Sequence, residues 1–305
     1  MKNKIIFAHL ITLVTVFIWG TTFISTKVIL EYLSPVEILF YRFLIGYLAM
    51  LIIHPKFKKI DSMKDEILFF SLGLTGVTLY FLVENIALDF TLASNVGLIV
   101  SINPIITAII AHIFTRDEKI SKMLVIGCLI SILGVFLVIF NGTFRLDINP
   151  LGDILALIAA ILWALYSLLL KKVDKRYSSL YVVRRTFFYG LITMIPAILL
   201  LKDDISFNYE INLSLIYNMI FLGLGASALC FVLWNKSISI IGIVKASSYI
   251  YLVPLITMVT SAIVLREKIS VTMIIGCILI LIGVYISERK LIVKSKDIES
   301  NNLNT

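Results

Sequence analysis

Ten stretches of roughly twenty mostly apolar residues follow one another along the chain, with short polar connectors between them. A helix rises about 1.5 Å per residue, so about 20 such residues cross the roughly 30 Å hydrocarbon core of a bilayer. The expected spans are Phe7 to Val28, Pro35 to His54, Ile67 to Ala87, Ala93 to Phe114 and Met123 to Phe140. A second set runs Leu151 to Leu170, Val182 to Leu201, Leu215 to Trp234, Ile243 to Leu265 and Val271 to Ser287. Composition agrees: 60% of residues are hydrophobic and only 15% charged, where soluble domains carry about 25% charge. A soluble fold cannot hide that much apolar surface, so part of the solvent is lipid. The fold class is an all-α membrane protein with ten transmembrane helices.

Charge placement sets the orientation. The net charge of +8 could suit nucleic acid, but the basic residues lie in the connectors, and no nucleic-acid partner is expected. With the N-terminus inside, the inner connectors hold Lys56, Lys58, Lys59, Lys64, Arg116, Lys119, Lys122, Lys171, Lys172, Lys175, Arg176 and Lys236. The outer ones hold only Arg145, Lys202, Arg266 and Lys268. Positive charge stays on the cytoplasmic side. This predicts a multi-pass protein of the cell membrane with both termini cytoplasmic. Lys2 and Lys4 before an apolar run resemble a signal peptide, but the run from Ile5 to Val28 is long for one, and no clear small-residue cleavage site follows. It reads as a retained first span. The polar tail from Glu288 to Thr305 is expected to be cytoplasmic and disordered.

The two halves of the sequence resemble each other. Glu118-Lys119-Ile120-Ser121 precedes Gly127-Cys128 and Gly134; Glu267-Lys268-Ile269-Ser270 precedes Gly276-Cys277 and Gly283 at the same spacings. Pro104 and Thr107 match Pro254 and Thr257, and Leu72-Gly73-Leu74 with Asn85 match Leu222-Gly223-Leu224 with Asn235. Trp19, Lys27 and Gly46 match Trp163, Lys171 and Gly190. Five spans per half is an odd number, so the second half must enter from the opposite side. The result is two inverted five-helix repeats, residues 1–145 and 146–288, followed by the tail 289–305. Two like halves of opposite orientation can exchange conformations, opening inward in one state and outward in the other.

Several of these residues resemble the EamA family of the drug/metabolite transporter superfamily. They are the Trp19-Gly20 pair, Pro35 with Arg42, the stretch from Asn85 through Pro104 to Glu118, and Gly127 to Gly134, with the Glu267-to-Gly283 stretch repeating the signature. The resemblance runs from about Phe7 to Ser287. It implies a central cavity lined by spans one, three, four, six, eight and nine, alternating access, and export or exchange of metabolites such as amino acids. The halves depart from each other where Arg42 aligns with Thr186 beside Arg185, Glu84 with Trp234, and Asn95 with Lys245.

Ionisable groups at membrane depth face protein or water. Arg42 lies inside span two and Glu84 near the outer end of span three. They can pair across helices, with Glu84 then binding a coupling proton; the alternatives are a static ion pair or an arginine that reaches to the interface. Arg185 and Lys245 lie near the inner ends of spans seven and nine and are candidates for a gate, or else anchors to the headgroups. Trp19 and Thr22 share a face of span one, Trp163 and Tyr166 a face of span six. Tyr80 is one turn from Glu84, with Asn85 beside it. Asn103 lies on span four, Ser248 and Tyr249 on span nine. Together these residues can line a substrate pathway or join helices by hydrogen bonds. His9, His54 and His112 lack metal-ligand spacing, and the sequence has neither a phosphate-binding glycine loop nor a nucleophile elbow. No metal or cofactor is expected. The function that follows is secondary transport of a small polar metabolite across the lipid bilayer; the alternative is an intramembrane enzyme acting on a lipid-linked substrate.

Overall fold

The computed structural model describes residues 2–29, 31–55, 62–90, 96, 99–115, 120–140, 149–173, 176–201, 212–264 and 269–301. Asn95, Glu118, Lys119, Glu267 and Lys268, and many of the connector charges, lie outside the described residues. Among the described residues the regular structure is entirely helical.

α1 (Lys2–Ile29) and α2 (Pro35–Ile53) come first. Ser34 starts α2 through a reciprocal cap: its hydroxyl accepts from the Glu37 N–H, while the Glu37 carboxylate accepts from the Ser34 N–H at 2.8 Å. Two backbone donors are satisfied at once, and Pro35 at the first helical position needs none. α3 (Met63–Gly73) passes through a π-helical stretch, Leu74–Leu79, into α4 (Tyr80–Phe90). α5 (Asn103–Phe114), α6 (Lys122–Phe140), α7 (Pro150–Lys171) and α8 (Ser179–Leu201) follow. α9 (Leu213–Ile220) passes through a second π-helical stretch, Phe221–Leu229, into α10 (Cys230–Ile241). Gly242, at φ 84°, turns the chain into α11 (Ile243–Ser248); a residue with a Cβ would be strained there. A 3-10 turn, Tyr249–Tyr251, leads to α12 (Leu252–Val264), and α13 is Val271–Asn301. Helix therefore continues into the tail expected to be disordered.

Among the described residues, seven runs are long and apolar enough to cross a membrane; Asn103–Phe114, Lys122–Val138 and Val271–Ser287 are shorter apolar helices. The fourth expected span is interrupted by a turn at Ser101 and Ile102 just before Pro104. A proline cannot donate to the preceding turn, so it opens a helix more readily than it continues one. Its repeat counterpart, Pro254, likewise follows a 3-10 turn in the first turn of α12. Pro104 thus follows a turn, whereas Pro254 follows a local tightening of a run that stays helical from Ile243 to Thr260. Phe17, Ile52, Ile113, Leu129, Leu199 and Ile278 point outward and exposed, an arrangement stable in lipid and not in water.

The two halves interlock. α1 packs against α10 and α12, and α2 against the second π stretch. Correspondingly, α7 packs against α4 and α5, and α8 against α3 and the first π stretch. Each group of helices thus draws on both halves. α6 and α13 pair with each other. A Cβ on Gly127 would lie 2.4 Å from the Gly283 carbonyl, and one on Gly134 would lie 2.5 Å from that of Gly276. Gly127 corresponds to Gly276 and Gly134 to Gly283, so each contact is the repeat image of the other. Only an antiparallel pair related by a two-fold axis exchanges its contacts in this way. Gly73 against Gly190 and Gly223 against Gly46 form a second exchanged pair.

Candidate substrate pathway

The groups meet at a cluster of rings. Trp19 of α1 and Trp163 of α7 touch edge to face, centroids 5.3 Å apart; Trp234 of α10 lies 5.1 Å from Trp19 and 6.3 Å from Trp163. Phe231 closes on Trp19 and Trp163 at 6.4 and 6.0 Å, Tyr80 of α4 on Trp163 at 5.0 Å, and Tyr166 on Trp163 at 5.2 Å. Such offset and edge contacts suit the ring quadrupoles.

The π-helical stretches place backbone around this cluster. A π turn shifts the hydrogen-bond register and can leave a carbonyl for other partners. The Trp19 Nε1–H donates to the carbonyl of Ala226, in the second π stretch, at 3.1 Å. The first π stretch carries Gly76 at the equivalent position, and a Cβ there would fall 2.2 Å from the Tyr166 ring. Glycine is needed because a tyrosine ring occupies the space.

Charge enters from one side. The Tyr80 hydroxyl donates to the Glu84 carboxylate at 2.9 Å. Arg42 is buried and gives its Nε–H to Ser227 at 3.0 Å, with its guanidinium 4.9 Å from the Phe81 ring centre. Arg42 and Glu84 each hydrogen-bond a hydroxyl, and their opposite charges still act on each other through space. Arginine suits this place because its planar cation stacks on a ring while donating along its edge.

The EamA-like transporter family model matches residues 6–140 and again 150–288. The chain belongs to the EamA-like transporter family. An Archaeoglobus fulgidus protein is 30% identical over 288 residues, covering 92% of this chain and 97% of its own length. The protein YyaM of Bacillus subtilis (strain 168) is 30% identical, covering 87% of this chain and 88% of itself. Both carry the description uncharacterized transporter. A chain solved by crystallography shares the fold, with a TM-score of 0.79 at 17% identity, covering 92% of this chain and 98% of its own. Family and relatives point to a multi-pass membrane transporter that moves small molecules, not to an enzyme.

Other candidate residues of this EamA-like chain sit apart from the rings. Asn103 is buried, donates to the Ala160 carbonyl at 2.8 Å and accepts from Thr107 at 3.2 Å, so its amide joins α5 to α7. Thr22 donates to the Trp19 carbonyl, and Ser248 to that of Val244. Asn85 is half-buried beside Glu84. Tyr249 meets His9 of α1 at 2.8 Å, near half-buried Lys245. Arg185 pairs with Glu66 across α8 and α3 and donates to the Tyr189 hydroxyl at 3.3 Å. Next to it, Arg176 and the Tyr177 hydroxyl both donate to Asp65, at 2.6 and 2.8 Å. The structure thus unites Trp19, Trp163, Tyr166, Tyr80 and Glu84, and leaves Arg185 near the start of α8, Lys245 in α11, Ser248 at the end of α11 and Tyr249 in the 3-10 turn that follows. Sequence reasoning overlooked Trp234, Phe231 and Ser227. A signal for the first existed in the repeat, where Trp234 aligns with Glu84.

Proposed function

We propose that this chain is a secondary transporter that moves a small polar metabolite, an amino acid or related compound, by alternating access, in export or exchange. In this reading ten spans form two inverted repeats, 1–145 and 146–288, with the tail 289–305 and both termini in the cytoplasm of a cell whose surface membrane holds the protein. The observation that carries it is the contact between Trp19 and Trp163, equivalent residues of the two halves that meet each other. A residue touches its own repeat counterpart only near the axis relating the halves, so the ring cluster sits where rocking of one helix group against the other would open and close a path. Trp19, Thr22, Tyr80, Asn85, Asn103, Trp163, Tyr166, Ser248 and Tyr249 line or support that path. Arg42 and Glu84 serve coupling, with a proton as the coupling ion, and Arg185 and Lys245 serve the inner gate. Purified protein in liposomes, offered a panel of labelled metabolites, tests this reading. Entry of at least one solute above empty liposomes is expected; entry of none would overturn it.

A further inference from the structure

Indole N–H groups only donate, and a buried donor without an acceptor destabilises its surroundings. Trp19 uses its Nε1–H on the Ala226 carbonyl. The other two tryptophans do not match it. Trp163 is 6% exposed and Trp234 1%, and the Nε1 of each has no hydrogen-bond partner among the described residues. The Tyr166 hydroxyl, on a fully buried side chain in contact with Trp163, has none either. These unmatched donors belong to one ring cluster at the junction of α4, α7 and α10. Evolution can satisfy an indole by supplying a carbonyl, as the second π stretch does for Trp19. Here an acceptor from outside the chain would satisfy them.

We propose that Trp163 and Trp234 form a subsite for the carboxylate of the transported molecule, whose apolar body packs against the surrounding rings. An ionised carboxylate offers two acceptor oxygens and no donor, and so complements two indole N–H groups and a hydroxyl; hydrogen bonds to a charged acceptor are the stronger kind. An alcohol or amine of the same shape brings a donor to a place already rich in donors. The inference rests on the transporter reading and names the chemistry of its substrate.

The chain's three tryptophans all lie in this cluster, so intrinsic fluorescence reports on it directly. Purified protein in nanodiscs is titrated with acetate, L-alanine, 3-phenylpropionate and L-phenylalanine, and with 3-phenylpropan-1-ol as the uncharged match. Saturable emission changes with at least one carboxylate, and at least about tenfold weaker binding of the alcohol, are expected. Trp163→Phe and Trp234→Phe, checked for monodispersity, should each weaken that carboxylate by about tenfold or more and the alcohol by a clearly smaller factor. Equal binding of alcohol and carboxylate in the unaltered chain, no response to any carboxylate, or undiminished carboxylate binding in both variants would overturn the subsite. Counterflow of the bound carboxylate in proteoliposomes separates the two readings. Binding without counterflow supports the subsite and counts against transport, whereas full counterflow in both variants removes the subsite and leaves transport intact.

Discussion

Trp19 and Trp163, repeat counterparts that meet edge to face with ring centroids 5.3 Å apart, differ in what their indole nitrogens do. Trp19 holds the Ala226 carbonyl; Trp163 holds nothing among the described residues. Replacing either by phenylalanine removes similar ring volume but only one hydrogen bond. Trp19→Phe should therefore be less stable than Trp163→Phe by about 1 kcal/mol, the net worth of a typical hydrogen bond. Denaturation of the two variants in the same detergent measures the difference. Equal stabilities would mean that the Trp19 bond contributes nothing net.

Glu84 is the carboxylate that sits one turn from the ring cluster, tied to Tyr80 at 2.9 Å. A carboxyl that meets solvent in one state and protein in the other can take up and release a proton as the path switches. Glutamine keeps the shape and still accepts from Tyr80, but does not titrate. Glu84→Gln is expected to flatten the pH dependence of uptake, because the side chain can no longer exchange a proton. Uptake that follows the parent's pH profile would remove Glu84 from coupling.

Arg42 joins α2 to the second π stretch through Ser227 and lies over Phe81 of α4, so it touches both helix groups. Lysine carries the charge but has neither the planar face nor the Nε–H edge. Arg42→Lys is expected to leave a monodisperse protein whose uptake is at least about tenfold slower, because loss of a charged hydrogen bond and a stacked cation amounts to more than about 1.4 kcal/mol. Parent rates in this variant would show that charge alone is required.

Period and length made the helices legible in the sequence, and the matched Gly and Trp positions made the repeat legible. Two things were not. The π turns at Leu74–Leu79 and Phe221–Leu229 carry no sequence code, because a register shift depends on what packs alongside: the Tyr166 ring over Gly76 in one case and the Trp19 indole on Ala226 in the other. Partner choice was the other. Depth and charge bring Arg42 and Glu84 into each other's field but do not reveal the hydroxyls, Ser227 and Tyr80, that each one hydrogen-bonds. A tryptophan at the position equivalent to Glu84 read as a difference between halves, and only packing shows that Trp234 joins the same cluster.

Gly134 and Gly276 stack backbone on backbone where α6 crosses α13. A Cβ on the first would lie 2.5 Å from the Gly276 carbonyl, and one on the second 2.6 Å from the Gly134 carbonyl. Gly225 supplies the contrast, since its Cβ would meet only the Phe221 ring at 3.4 Å. Gly134→Ala and Gly276→Ala should each destabilise the protein by about 1–3 kcal/mol, the usual cost of overpacking a tight contact. Gly225→Ala should be neutral, or stabilising by up to about 1 kcal/mol through helix propensity. The crossing also predicts how the first two combine. Once one Cβ has forced the helices apart, the second enters space already opened, so the double variant should cost less than the sum of the singles. Thermal midpoints of the four variants in one detergent test both statements. Strict additivity would mean that the helices adjust separately at each glycine and that the close approach is not a single shared contact.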